Sequence, residues 1–101
     1  MNKLVRDYIP NVIPKEDLHR FRFVRLTDED YAEHLKKKLV EEVAEYLQAE
    51  NKEELADIYE VLEAIIKFKG FDLEEVRQVQ QNKRDVRGGF EERLLMQKVT
   101  V

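Results

Sequence analysis

The sequence contains no cysteine, so neither a disulfide nor a thiolate nucleophile is available to it. This usage fits a reducing cytosol, and we expect a cytoplasmic protein. The chain also lacks a long apolar run, and its first residues carry the charges of Lys3, Arg6 and Asp7. We therefore expect neither a signal peptide nor a membrane span.

Basic residues are not in excess, because 18 Lys and Arg against 22 Asp and Glu give a formal net charge of −4. A sequence-independent duplex binder needs a basic face to neutralise phosphates, so we expect no nucleic-acid polymer as partner. A small anionic ligand carried with a metal ion remains compatible with this charge. The 101 residues show no internal repeat and no low-complexity linker, which predicts a single domain over residues 1–101.

Two long helices joined by a short turn are predicted in the middle of the chain. Thr27 is a good N-cap for the first, which should run to about Ala49. Asn51 is a good N-cap for the second, which should stop at Gly70, a residue suited to the left-handed position after a helix. Because the connection is short, the two helices should pack as an antiparallel hairpin.

Smaller elements are predicted on both sides of this hairpin. Residues 4–13 have helix-like spacing of apolar residues, interrupted by prolines, and should form short helical turns. Asp72 should cap a third helix that runs to about Arg84. Alternation in residues 20–26 and the β-branched content of residues 93–99 predict a two-stranded antiparallel β element. The predicted fold class is therefore mainly α with one small β element.

Four acidic residues of the hairpin have a spacing that places them along one seam. On a helical projection, Glu42 lies among the apolar residues of the first helix and Glu54 among those of the second. Glu45 and Asp57 follow three residues later, about one turn along each helix. If the chain turns near Glu50, a rise of about 1.5 Å per residue puts the two pairs at similar heights. The four carboxylates should therefore converge on one patch.

Such a patch predicts a site for a hard divalent cation. Half-buried like charges either take up protons or hold cations. Oxygen ligands without cysteine or histidine select Mg²⁺ or Mn²⁺. The alternative is that the acids are solvated, with Glu54 explained as the third residue of a capping box that begins at Asn51.

Cationic residues elsewhere are candidates for binding phosphate. Near the C-terminus, several cations lead into the flexible pair Gly88-Gly89, whose backbone can approach an anion closely. The alternative is that these basic residues only stabilise the C-terminal end of the helix dipole and bind no ligand. The candidate phosphate-binding residues are Lys3, Arg6, Lys38, Lys83, Arg84 and Arg87.

The acidic motifs resemble those of the MazG-like all-α nucleoside triphosphate pyrophosphohydrolases, a family that includes phosphoribosyl-ATP pyrophosphohydrolase-like members. Its E-x-x-E and E-x-x-D pattern is matched by Glu42-Val43-Ala44-Glu45 and Glu54-Leu55-Ala56-Asp57. The opening NKLVRD with Ile9-Pro10, and the closing run from Lys83 to Phe90, resemble a compact subgroup of small single-domain relatives. The likeness therefore spans nearly the whole chain.

The resemblance implies hydrolysis between the α and β phosphates of a nucleotide, which releases a monophosphate and pyrophosphate. It implies Mg²⁺ on Glu42, Glu45, Glu54 and Asp57, and a role in clearing non-standard nucleotides from the pool. Glu41 and Glu42 are the candidate catalytic residues, with Glu41 as a base or outer-shell acid. No set of aromatic or amide residues can be assigned to a base, and phosphoribosyl-ATP is an alternative substrate.

A homo-oligomer, either a dimer or a tetramer, is also predicted. The apolar arc of the second helix runs from Phe68 round to Tyr59 and covers about half of its circumference. One partner helix cannot bury that much, whereas two hairpins about a two-fold axis would complete a four-helix core. A non-catalytic helical dimerisation module with surface acids remains an alternative, and it predicts no metal dependence.

Overall fold

The computed structural model describes residues 2–100, which are helical with irregular connections and fall into two compact units. The first unit extends to Gly70 and the second begins at Phe71. No helix in this part of the chain combines the length and the apolar composition needed to cross a membrane. The elements of the first unit are α1 (Ile9–Val12), a 3₁₀ helix (Lys15–Arg20), α2 (Asp28–Ala49) and α3 (Lys52–Phe68), and that of the second is α4 (Leu73–Arg87).

The hairpin of α2 and α3 begins and ends where the capping residues predict. The side chains of Thr27 and Asn51 each accept a hydrogen bond from the backbone N–H three residues on, at 3.2 Å and 3.0 Å. Glu50 ends α2 in the left-handed conformation, with φ of 52°, and its N–H donates to the carbonyl of Tyr46. Only two residues separate the helices, which therefore pack against each other as a hairpin.

The apolar core of this hairpin is small. Within residues 2–100 the buried apolar side chains are Leu35 and Val61, which are 3% and 8% exposed. The rings of Tyr31 and Phe68 pack edge to face with centroids 5.1 Å apart. Much of the predicted apolar arc of both helices stays uncovered in the single chain. We call these uncovered residues the exposed hairpin face, and they are Val40, Val43, Leu47, Leu55, Tyr59 and Leu62.

The second unit contains the predicted third helix. The Asp72 carboxylate accepts hydrogen bonds from the N–H groups of Glu74 and Glu75, at 2.7 Å and 3.4 Å. The helix continues to Arg87, three residues beyond the predicted end. It stops at Gly88, whose φ of 82° suits glycine, and the Gly88 N–H still donates to the carbonyl of Arg84.

The prediction of a strand over residues 20–26 was wrong. The chain leaves Pro14 directly into the 3₁₀ helix, which ends at Arg20, and the Phe21 N–H donates to the carbonyl of Leu18 at 3.1 Å. This helix therefore takes up the first residue of the predicted strand. The alternating pattern is left with only a few residues, and these form no regular structure.

The second predicted strand, over residues 93–99, was wrong as well. Arg93 adopts a left-handed conformation with φ of 57°, and its N–H closes a turn by donating to the carbonyl of Phe90 at 3.1 Å. The chain therefore bends where the strand should begin. No strand occurs anywhere in residues 2–100, so this part of the protein is all helical.

Candidate metal centre

Three of the predicted acids meet between the two helices of the hairpin. Glu42 comes from α2, while Glu54 and Asp57 lie one turn apart on α3. One carboxylate oxygen from each lies within 4.8 Å of the other two. Oxygens at such separations are close enough to share one small cation after minor adjustment of the side chains.

Two of these carboxylates each have a buried oxygen without a hydrogen-bond partner in the described residues. Glu42 is only 6% exposed, although it is charged in its ordinary state. The Oε2 atoms of Glu42 and Glu54 are both buried and accept no hydrogen bond from any described residue. Buried polar atoms are nearly always satisfied, and an unpaired carboxylate oxygen away from water is costly. A bound cation or a proton would satisfy both atoms.

Lys38 supplies part of the compensating charge. Its ammonium nitrogen lies 3.2 Å from Oε1 of Glu42 and 3.4 Å from Oε2 of Glu41. Spacings of three and four residues on one helix bring these side chains together. Lys38 therefore holds the oxygen of Glu42 opposite to the unpaired one. Its predicted contact with substrate phosphate stays a prediction.

The pKa of Glu42 reflects this competition between burial and charge. Burial raises the pKa above its ordinary value of 4.5, the ammonium of Lys38 lowers it, and the neighbouring Glu45 carboxylate raises it again. The net shift is upward. Glu42 therefore holds a proton more readily than an ordinary glutamate does when no cation is present.

This raised pKa predicts how stability changes with pH in the metal-free protein. The folded state binds more protons than the unfolded state between the ordinary and the raised pKa, so the free energy of unfolding falls as pH rises through that window. Glu42→Gln has no such charge to bury. In the presence of a chelator, we expect the difference between the melting temperature of Glu42→Gln and that of the wild type to increase in favour of Glu42→Gln as pH rises from about 4 to about 8.

The control for this pH series is Glu53→Gln, which removes an exposed carboxylate from the first turn of α3. Its melting temperature should stay parallel to the wild type across the same range. A Glu42→Gln curve that also runs parallel to the wild type would show that ionised Glu42 costs nothing in the fold.

The remaining predicted acids of α2 form a second set. One oxygen each of Glu41, Glu42 and Glu45 also lie within 4.8 Å of one another. Glu45 is exposed, whereas Glu41 is partly buried and pairs with Lys38. Glu42 is thus common to both sets, whereas Glu45 is grouped with Glu41 and Glu42 and not with Glu54 and Asp57.

Arg6 reaches the cluster from the N-terminal segment. Its guanidinium donates to Oδ1 of Asp57 at 2.6 Å and lies 3.7 Å from Oε1 of Glu60. The three side chains are more than one third exposed, so this ion pair stabilises the fold only modestly. It nevertheless places one predicted phosphate-binding cation directly beside the acids. Lys3 is exposed and forms no ion pair within residues 2–100.

The other predicted phosphate-binding residues belong to the second unit. Arg84 donates to the Glu91 carboxylate at 2.6 Å, and this contact lowers the pKa of Glu91. A Cβ atom at Gly89 would fall on these two side chains, so the glycine makes room for the pair. Lys83 and Arg87 are exposed and form no ion pair in the described chain. That these cations bind the same ligand as the acids stays a prediction.

Two ion-pair contacts of the site were not predicted from the sequence, for different reasons. The pairing of Lys38 with Glu41 and Glu42 could have been found, because the three and four residue spacings are visible in the sequence. The contact of Arg6 with Asp57 joins residues 51 positions apart, and no local pattern predicts it.

No family model, curated protein or solved structure matches this chain. The resemblance to the MazG-like family therefore rests on the motif residues alone.

Proposed function

We propose that the chain is a metal-dependent nucleotide pyrophosphohydrolase whose centre is formed by Glu42, Glu54 and Asp57. The observation that carries this proposal is the pair of buried, unpartnered oxygens of Glu42 and Glu54 beside the carboxylate of Asp57. Acids with a purely structural role are normally solvated or paired, and a bound cation would supply the partner that these two oxygens lack.

The donor set fits Mg²⁺ or Mn²⁺, because it consists of carboxylate oxygens only. Glu45 is available from α2 as a further ligand. A divalent ion bound there would neutralise phosphate charge and lower the pKa of a water molecule. The ammonium of Lys38 holds Glu42 in place, and the guanidinium of Arg6, which donates to Asp57, would direct its remaining N–H groups to a phosphate oxygen.

The proposed reaction is attack of water on the α phosphorus, with cleavage of the bond to the oxygen that bridges the α and β phosphates. The products are a nucleoside monophosphate and pyrophosphate. Glu41 takes the proton of the attacking water in this scheme, because it lies next to the cluster and is only partly buried. The choice of the α phosphorus comes from the resemblance to the MazG-like family.

Product analysis tests this proposal. A panel of nucleoside triphosphates and phosphoribosyl-ATP, incubated with Mg²⁺, should yield monophosphate and pyrophosphate from at least one member. Turnover of phosphoribosyl-ATP alone would assign the alternative substrate within the same reaction class. Release of diphosphate and orthophosphate, or no turnover of any member, would contradict the proposal.

The proposal includes a homodimer or larger oligomer in the cytoplasm. The exposed hairpin face includes side chains from both helices, and Val40, Leu47 and Tyr59 are each about two thirds exposed or more. Two copies packed by this face would bury it in a four-helix core. The same face also favours the second candidate function, a helical dimerisation module without catalysis.

Light scattering at micromolar concentration should therefore give a mass at least twice the 12.1 kDa of the chain. Leu47→Glu should shift it to the monomer, because a charge would be buried in the interface. Lys37→Glu, which changes an exposed residue outside this face, is the control. A monomeric wild type would contradict the oligomer, and a dimer without any nucleotide turnover would favour the dimerisation module.

A further inference from the structure

A groove of about 530 Å³ lies along the same side of α3 as Asp57. This volume is within the range of small-molecule sites. The residues that line it are Asp7, Tyr31, Glu60, Glu63, Ala64, Lys67 and Phe68.

Two contacts join this groove to the candidate metal centre. Arg6 bridges Asp57 of the centre and Glu60 of the groove, and the next residue, Asp7, lines the groove. Asp57, Glu60 and Ala64 follow one another at spacings of three and four residues, so they share one face of α3. Glu63 lies about 9 Å along the helix axis from Asp57, given a rise of about 1.5 Å per residue. A nucleotide held by its phosphates at the centre can extend its base along this face.

The charged lining of the groove consists of the carboxylates of Asp7, Glu60 and Glu63 and the ammonium of Lys67. Asp7 and Glu63 form no ion pair within residues 2–100, and an ionised carboxylate only accepts hydrogen bonds. The rings of Tyr31 and Phe68 add an aromatic surface against which a flat ring can pack. Amino groups of a base would form charge-assisted hydrogen bonds here. Carbonyl oxygens placed against Asp7 or Glu63 would face other acceptors and be repelled, so the discrimination requires the base edge to meet these carboxylates and not the ammonium of Lys67.

We infer that this groove binds the nucleotide base and selects bases that carry an exocyclic amino group, with Glu63 as a specificity-determining residue. Cytosine and adenine present such a group where uracil and hypoxanthine present a carbonyl oxygen. The inference rests on the proposed function, since the phosphates are taken to lie at the centre of Glu42, Glu54 and Asp57.

Matched nucleotide pairs test the inference. We expect kcat/KM with Mg²⁺ to be at least about tenfold higher for CTP than for UTP, and for ATP than for ITP, because each pair differs in a hydrogen-bonding group. Glu63→Gln offers an amide donor as well as an acceptor, so it should lower both ratios several-fold. Glu53→Gln, an exposed change on the same helix outside the groove, should leave both ratios unchanged.

Binding gives a readout that does not depend on turnover. Calorimetry with α,β-methylene analogues of CTP and UTP should show the same preference for the amino base, and Glu63→Gln should reduce it. Preferential binding without hydrolysis would support the groove and contradict the proposed reaction. Hydrolysis with equal use of both members of each pair, or ratios that Glu63→Gln leaves unchanged, would overturn the groove assignment alone. Absence of both binding and hydrolysis would overturn both.

Discussion

Glu54→Gln should lower kcat/KM for the best nucleotide substrate by at least about a hundredfold. Removal of one group that stabilises the transition state typically lowers the rate by about this factor. The amide keeps the size of the side chain, and the backbone N–H of residue 54 still donates to Asn51. The fold should therefore survive while the charge that faces the cation is lost. Steady-state kinetics, with circular dichroism to verify folding, measures this effect.

Glu53→Gln is the matched control, since it removes a neighbouring charge that is exposed and outside the cluster. Its kcat/KM should stay within about twofold of the wild type, since surface changes away from a site have small effects. Equal activity of the Glu54→Gln variant and the wild type would remove Glu54 from the reaction.

Lys38→Met should lower the free energy of unfolding by about 2–3 kcal/mol at neutral pH, somewhat less than the roughly 3–5 kcal/mol that breaking a fully buried ion pair costs. The Lys38 and Glu42 side chains are only 16% and 7% exposed, so the carboxylate would lose its one close cation in a site with little water. Protonation of Glu42 would relieve part of the cost, because burial already raises its pKa. Urea unfolding followed by far-ultraviolet circular dichroism measures the loss.

A double variant separates this charge effect from lost packing. Lys38→Met combined with Glu42→Leu replaces both ions by apolar groups, and it should recover most of the stability. A single variant within about 0.5 kcal/mol of the wild type would show that the pair contributes no more than an ordinary surface contact.

The sequence predicts the hairpin well because local interactions determine it. Thr27 and Asn51 satisfy the first N–H groups of α2 and α3, and both helices begin at the residues that follow them. The inward position of Glu42 follows from the same periodicity, since the apolar residues around it must face the other helix. These features depend on residues a few positions apart, which a sequence displays directly.

The sequence fails where a structure depends on distant partners. A strand needs a neighbour for its backbone hydrogen bonds, and the alternation in residues 20–26 carries no information about one. The left-handed turn at Arg93 is equally invisible, because arginine has no special preference for that conformation. The contact between Arg6 and Asp57 likewise depends on how the N-terminal segment crosses the hairpin.

The candidate site likewise combines features that residue spacing predicts with features that it does not. Spacing alone brings Glu54 and Asp57 to one side of α3, and the short turn brings Glu42 to a similar height. What spacing does not reveal is that one oxygen of Glu42 is held by Lys38 while the other is left without a partner. That asymmetry is the observation on which the proposed metal site rests.

Titration of the metal-free protein with Mn²⁺ or Mg²⁺ while following the melting temperature tests the metal centre most directly. Ligands that bind only the folded state raise this temperature. Ionic strength is kept constant with NaCl, because added salt also screens the repulsion between the acids. We expect a saturable rise in melting temperature for the wild type and for Glu53→Gln, and no such rise for Glu42→Gln, Glu54→Gln or Asp57→Asn. A wild type that does not respond, or three acid variants that respond as the wild type does, would contradict the assignment of this cluster as a metal site.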